Sequence, residues 1–170
     1  DLAMYQAKAA SEREAVAYHA TMETDALEKK RVEAALRRAI ETGELTVVYQ
    51  PIVRTSDMTV GSFEALVRWD SKEFGIMPPA LFVPVAEETG LIHEVGSFVI
   101  HRVCQDLARW GTDLKISVNI SPVQLRDPNF ASDFLAMVER SGARAESFEL
   151  ELTEGILVSD PSMARRKLET

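Results

Sequence analysis

Alternating apolar and polar residues predict four strands in this chain. They are expected over Leu45–Val53, Met58–Trp69, Lys115–Ser121 and Phe148–Leu152. Alternation in the second strand places Phe63, Ala65, Val67 and Trp69 on one face, and Glu64, Leu66 and Arg68 on the other. The turn-like segment Arg54–Asp57 is so short that the first two strands must be antiparallel neighbours.

Apolar residues at helical spacing fill the segments between these strands. They predict helices over Thr24–Thr42, Pro79–Glu88, Ile92–Trp110 and from Asp127-Pro128 to Ser141, with further helical segments before residue 20 and after Pro161. The first of these helices has a narrow apolar stripe, which suits a connecting helix along a domain and equally an ordinary surface helix. Because strands and helices alternate after the opening hairpin, we expect an α/β fold with a largely parallel sheet.

Composition and charge restrict the partners of the chain. Its 170 residues suffice for one domain, and its net charge of −8 disfavours binding to DNA, RNA polymers or an anionic membrane surface. A single cysteine, Cys104, excludes an intrachain disulfide framework and fits a reducing compartment. The chain starts without methionine and stops at Thr170 within a helical pattern, so we expect both ends to continue in a longer protein.

Polar residues on three predicted strands form a candidate site. Glu64 lies roughly 13 Å along its strand from Arg68, so a buried Glu64 needs another partner, either a metal ion or a lysine. Asn119 and Glu151 lie near strand ends, with Glu154 three residues further on, and such oxygen donors suit Mg²⁺, Mn²⁺ or Ca²⁺. Spacing alone favours the alternative, in which Glu149 and Glu151 are solvated strand residues and Asn119 supports a turn.

Five motifs in chain order resemble the opening of an EAL domain. They are Tyr49-Gln50-Pro51-Ile52, the strand Phe63–Trp69, Pro79–Ile92, Ser117-Val118-Asn119-Ile120-Ser121 and Glu149-Leu150-Glu151-Leu152-Thr153-Glu154. The start, Asp1–Lys8, resembles the last helix of a GGDEF domain. We therefore expect residues 1–23 to be a GGDEF-like tail with a linker, and residues 24–170 to be the truncated, N-terminal portion of an EAL domain.

The resemblance implies a fold and an activity. EAL domains are TIM-like (β/α)₈ barrels with an antiparallel first strand, so a partial barrel preceded by N-terminal helices is expected here. The family hydrolyses the bacterial second messenger cyclic di-GMP to linear pGpG with Mg²⁺ or Mn²⁺. The implied roles are metal ligation by Glu64, Asn119 and Glu151, nucleotide contact by Gln50, Leu66 and Arg68, and stabilisation of a catalytic loop by Glu154.

Departures from the family pattern qualify these expectations. The paired aspartates, catalytic lysine and later ligands of the family would fall after Thr170, so the 170 residues alone are expected to be inactive, while the natural protein is expected to be the hydrolase. Ser71-Lys72-Glu73 stands where the family usually has a histidine–proline pair. The alternative is a non-catalytic receptor that binds cyclic di-GMP and signals through the helix Thr24–Thr42.

The resemblance also implies a cellular setting. We expect a bacterial, cytoplasmic segment whose partner is cyclic di-GMP, with any membrane tether lying outside these residues. A half barrel would expose a strand edge and apolar inner faces, which favours self-association as a homodimer.

Overall fold

The structure, a computed structural model, describes residues 20–110 and 114–152. The helices are α1 (Ala20–Thr42), α2 (Pro79–Thr89), α3 (Ile92–Trp110), α4 (Pro122–Arg126) and α5 (Phe130–Ser141). The strands are β1 (Leu45–Val53), β2 (Val60–Ser71), β3 (Gly75–Met77), β4 (Ile116–Ile120) and β5 (Phe148–Leu152), with a 3₁₀ turn at Ala145–Ser147. The helical segments predicted before residue 20 and after Pro161 lie outside the described residues. Within the described ranges, no helix is long and apolar enough to cross a membrane.

One sheet holds all five described strands, in the order β1-β2-β4-β5 with β3 beside β2. The hairpin β1–β2 is antiparallel and pairs Leu45 with Trp69, as the short connection between the strands predicts. β4 is parallel to β2, and β5 is parallel to β4. The short strand β3 is antiparallel to β2. The expected antiparallel first strand is confirmed, and β2, β4 and β5 are parallel to one another, as the alternation of strands and helices predicts.

Helix α1 packs along the domain through its narrow apolar stripe. Ala35, Leu36 and Ala39 are fully buried against a cluster that contains Trp69 and Phe82. The rings of Trp69 and Phe82 meet edge to face at 5.5 Å between centroids. This cluster, formed by α1, α2 and the carboxyl end of β2, stabilises α1 on the domain by removing apolar surface from water.

A second core lies between the sheet and helices α3 and α5. Its best-buried members are apolar residues of α3 and β4 together with the single cysteine: Val103, Cys104, Ile116, Val118 and Ile120. Burial raises the pKa of the Cys104 thiol, so the group stays protonated and behaves as a small core residue. The three alternate residues Ile116, Val118 and Ile120 of the short strand β4 are thereby fixed from the helix side of the sheet.

Two predicted element starts are wrong. Helix α1 already includes Ala20, so Thr24 lies within the helix instead of capping it. Strand β2 begins at Val60 because Met58, at φ 58°, is held in the turn by donating its backbone N–H to the Arg54 carbonyl oxygen at 2.9 Å.

The region after β4 also differs from the prediction. Ser121 caps the short helix α4 instead of ending the strand, and α5 begins at Phe130 instead of Asp127-Pro128. Asp127 instead ends α4, and its carboxylate accepts a hydrogen bond from the Asn129 backbone N–H at 2.9 Å. The three-residue strand β3 was not predicted, because only its pairing with Trp69–Ser71 defines it.

Candidate functional site

The candidate site residues lie on the face of the sheet that turns away from helices α3 and α5. On β2, Ala65 and Trp69 are buried on the helix side, while Glu64, Leu66 and Arg68 are half-buried on the opposite face. Alternation of side chains along a strand produces this division, as the sequence predicts. We call the face that carries Glu64 the open face.

Two predicted metal ligands meet on the open face. The Asn119 side-chain nitrogen, Nδ2, donates a hydrogen bond of 2.8 Å to Oε1 of Glu64, although the residues are 55 positions apart. The parallel pairing of β2 with β4 brings them together, because it sets Glu64 level with Ser117, two residues before Asn119. Glu64 is half-buried, and the Asn119 amide is its hydrogen-bond partner among the described residues.

Glu151 occupies the next strand at the level of Asn119. The register of β4 with β5 pairs Asn119 directly with Glu151, whose side chain is exposed. Neighbouring strands lie about 4.8 Å apart, so the two side chains project side by side from one face. Glu154, predicted to steady a catalytic loop, lies outside the described residues.

The donor set fits a hard divalent cation. Two carboxylates and one amide offer only oxygen ligands of the kind that Mg²⁺ and Mn²⁺ prefer. Asn119 presents its amide nitrogen to Glu64, so ligation through Oδ1 requires the amide group to rotate by half a turn. No group of three or more His, Cys, Asp or Glu residues at metal-holding distance exists within residues 20–110 and 114–152. The described part of the chain therefore supplies two carboxylates and an amide, and not a complete carboxylate cage.

The residues predicted to contact a nucleotide line the same face. Gln50 on β1 pairs directly with Glu64 and is exposed, and Leu66 pairs with Val48. Arg68 is half-buried, and its Nη1 donates to the carbonyl oxygen of Val67 at 2.9 Å. Gln50, Leu66 and Arg68 thus share the open face with Glu64 on two adjacent strands, with Gln50 directly opposite Glu64 and Arg68 four residues further along β2.

A hydrogen-bonded group that the sequence analysis missed fixes β1 to α3. The Tyr49 hydroxyl donates to Oδ2 of Asp106 at 2.6 Å, and Nε of Arg102 donates to the same oxygen at 2.9 Å. Burial and the Asp106 carboxylate raise the pKa of Tyr49 well above its usual range. Tyr49 directly precedes Gln50, so this group anchors the strand that carries Gln50. The sequence signal for this group was Asp106, an acidic residue beside the apolar stripe of α3 and four positions after Arg102.

A second missed group surrounds the carboxyl end of β4. The Ser121 hydroxyl donates to Oε1 of Glu87 at 2.6 Å, and the Ser121 backbone N–H donates to Oε1 of Gln124 at 3.1 Å. Ser121 and Gln124 form a capping box at the start of α4. The pattern Ser-x-x-Gln is readable from sequence as a helix start.

Comparison with known proteins identifies the family. A family model described as "EAL domain" matches residues 33–169. The chain therefore belongs to the EAL domain family. EAL domains have a TIM-barrel fold, and the mixed α/β arrangement with its partial sheet agrees with part of such a barrel. The match begins at residue 33 and Asp1–Lys8 lies outside the described residues, so the resemblance to a GGDEF helix stays a prediction.

Curated relatives cover nearly the whole chain. An uncharacterised signalling protein of Caulobacter vibrioides is 39% identical over 160 residues, which cover 94% of this chain and 20% of that protein. The cyclic di-GMP phosphodiesterase PdeR of Escherichia coli K12 is 35% identical over 167 residues, which cover 96% of this chain and 25% of PdeR. The chain thus spans about a fifth to a quarter of the length of these relatives.

Solved structures of EAL proteins share the fold. The PaMucR phosphodiesterase in its c-di-GMP complex superimposes with a TM-score of 0.78 at 30% identity, covering 82% of this chain and 58% of PaMucR. The FimX EAL domain from Pseudomonas aeruginosa, bound to c-di-GMP, gives a TM-score of 0.71 at 26% identity, covering 79% of this chain and 55% of FimX. The expected EAL fold is therefore confirmed.

Proposed function

We propose that this chain is part of a cyclic di-GMP phosphodiesterase that hydrolyses the cyclic dinucleotide to linear pGpG. The observation that carries the proposal is the contact of 2.8 Å between Asn119 and Glu64, on a face shared with Gln50, Arg68 and Glu151. Similarity to PdeR and to PaMucR supports the choice of substrate.

In the proposed site, Glu64, Asn119 and Glu151 would hold the divalent cation, Mg²⁺ or Mn²⁺. Bound divalent cations supply an activated water and neutralise phosphodiester oxygens. Arg68 would bind a phosphate of the nucleotide through its guanidinium, releasing its present contact with the Val67 carbonyl oxygen. Gln50 and Leu66 would contact the nucleotide from the neighbouring positions, and Glu154 would steady the loop beside Glu151.

The decisive experiment is hydrolysis by the natural protein that contains this chain. We expect purified protein with Mg²⁺ or Mn²⁺ to convert cyclic di-GMP to pGpG, and Glu64→Gln to abolish turnover. Glu149→Gln is the matched control, because Glu149 lies on the same strand and face as Glu151 but forms an exposed ion pair with Lys115 at 3.1 Å. Intact cyclic di-GMP after incubation of wild-type protein with both metals would contradict the proposal.

The isolated chain allows a separate test of binding. Calorimetry of cyclic di-GMP with residues 1–170, with and without Mg²⁺, shows whether the described strands already preorganise Gln50, Glu64 and Arg68. We expect turnover by this chain alone to be absent, because the remaining ligands of the EAL pattern are not among its residues. Measurable turnover by the purified chain would show that these residues suffice.

A receptor function is the second candidate, favoured by the attachment of α1. An ion pair of 2.9 Å joins Lys29 of α1 to Glu88 of α2. Two further ion pairs of 2.9 Å join Arg31 and Arg38 of α1 to Glu73, in the turn that follows β2. A helix held in this way could report nucleotide binding to a preceding region. A receptor should keep its signalling in cells after Glu64→Ala, whereas a hydrolase should lose its effect on cyclic di-GMP levels.

A further inference from the structure

The end of β4 that carries Asn119 is paired with a strand on one side only, within the described residues. Pairing of β4 with β2 ends at Val118 opposite Ala65. Pairing with β5 continues through Asn119 opposite Glu151 and Ile120 opposite Leu152. The exposed Asn119 therefore lacks the second neighbouring strand that holds the first half of β4. Other contacts must fix the height and direction of this strand end.

Ser121 supplies such contacts two residues after Asn119. Its hydroxyl donates to Glu87 on α2 at 2.6 Å and accepts from the Val123 backbone N–H at 3.1 Å. Its backbone N–H donates to Gln124 at 3.1 Å. The bond to Glu87 is short and charge-assisted, which makes it stronger than a bond between neutral groups. The hydroxyl and the backbone N–H of Ser121 are thus both hydrogen-bonded.

Close packing of α3 against Gln124 supports this arrangement. A β-carbon on Gly96 of α3 would overlap the side-chain nitrogen of Gln124, so the glycine is required for the observed approach. Gln124 is 3% exposed, so this contact lies inside the protein. Helices α2, α3 and α4 therefore converge on Ser121.

We infer that Glu87 is a positioning residue for Asn119, acting through the hydroxyl of Ser121. The carboxylate fixes Ser121, and Ser121 fixes the singly paired end of β4 at the height where Asn119 reaches Glu64. This inference rests on the proposed function, because that proposal gives Asn119 its role as a cation ligand. Glu87 itself does not touch the nucleotide or the cation in this scheme.

The test compares four variants of the natural protein by Mn²⁺ affinity and by hydrogen exchange in the absence of metal. Glu87→Ala removes the acceptor, Glu87→Asp withdraws it by one methylene, and Glu87→Gln restores a neutral acceptor of the same length. Glu88→Ala is the control, because Glu88 is the next residue on α2 and, among the described residues, forms an exposed ion pair with Lys29. Thermal denaturation verifies that each variant is folded.

We expect Glu87→Ala to weaken Mn²⁺ binding by roughly 10–100-fold, the usual cost of losing a residue that orients a metal ligand. Exchange of the backbone amides at residues 119–121 should accelerate in the same variant. Glu87→Asp should lose affinity as well, and Glu87→Gln should recover most of it. Glu88→Ala should match the wild type in both measurements.

Three results would separate failure of this inference from failure of the proposed function. Wild-type Mn²⁺ affinity and unchanged exchange in Glu87→Ala would overturn the inference while leaving the proposed site intact. Equal losses in Glu87→Ala and Glu88→Ala would overturn it too, by showing a general effect of acidic charge. Faster exchange in Glu87→Ala, in a protein whose wild type binds no Mn²⁺, would uphold the control of the β4 end and refute the metal site.

Discussion

The bond between Tyr49 and Asp106 offers the sharpest test of how this domain is held together. Tyr49→Phe removes one hydrogen bond of 2.6 Å to a carboxylate and keeps the ring, which packs edge to face on Trp110 at 5.0 Å. Hydrogen bonds to charged groups contribute about 1.5–3 kcal/mol. Asp106 keeps its bond to Arg102 in the variant, so we expect the lower part of this range.

The expected loss is therefore about 1.5–2 kcal/mol, because no buried carboxylate is left without a partner. For a chain of this size, 1 kcal/mol changes the melting temperature by about 2–4 °C, which predicts a decrease of about 3–8 °C. Thermal denaturation followed by circular dichroism measures the difference. The same substitution in an Asp106→Asn background should cost less, since the acceptor is then neutral.

Alkaline pH provides an independent check on the same bond. Burial and Asp106 raise the pKa of folded Tyr49, so its contribution is complete below the unfolded value of about 10 and declines as the pH rises above it. The stability difference between wild type and Tyr49→Phe should consequently shrink above pH ~10. Equal melting temperatures at neutral pH, or an identical cost in the Asp106→Asn background, would refute the reasoning.

Three further predictions concern the packing of α1, the end of α2 and the acid stability of the domain. Leu36→Ala should cost about 2–5 kcal/mol in denaturant unfolding, because Leu36 is 0% exposed in the core beneath α1; a cost like that of exposed Leu27→Ala would contradict the packing. Gly90→Ala should cost about 1 kcal/mol in the same assay, because Gly90 ends α2 at φ 79°. Burial raises the pKa of Glu44, but hydrogen bonds from the Trp69 indole and neighbouring groups outweigh it and lower the pKa overall. The stability that ionised Glu44 contributes should therefore be present above pH ~4.3 and lost in acid. Glu44→Gln should make the free energy of unfolding fall less steeply with decreasing pH. An unchanged dependence on acid pH would contradict this.

Elements with strong periodicity and clear stop signals could be predicted from the sequence. The bounds of β1, α3 and β5 coincide with the predicted ranges, because each carries a full period-2 or helical pattern between turn residues. The start of β2 was misplaced because nothing in the side-chain pattern distinguishes Met58 in the turn from a strand residue. β3 could not be predicted, since three residues define a strand only through their partner.

The candidate site, too, was only partly predictable from the sequence. Motif resemblance selects Glu64, Asn119 and Glu151, but the direct contact between Glu64 and Asn119 depends on the register of two parallel strands 55 residues apart. The groups that support the site, around Asp106 and Ser121, come from helices whose mutual packing no local pattern specifies. The sequence shows an aspartate and a serine at these positions, but it does not show which side chains they bond.

The two supporting groups act on opposite sides of the same strand. The bond between Tyr49 and Asp106 fixes β1, where Gln50 pairs directly with Glu64 of β2. The bond between Ser121 and Glu87 fixes the end of β4, where Asn119 donates a hydrogen bond to the same Glu64. Both helices involved, α2 and α3, lie between β2 and β4 in the chain. Glu64 is thus placed by its own strand, while its neighbours on either side are placed by the helices of a single crossover connection. It follows that a change in the packing of α2 against α3 should alter the spacing of Gln50 and Asn119 around Glu64 without any change at the site itself.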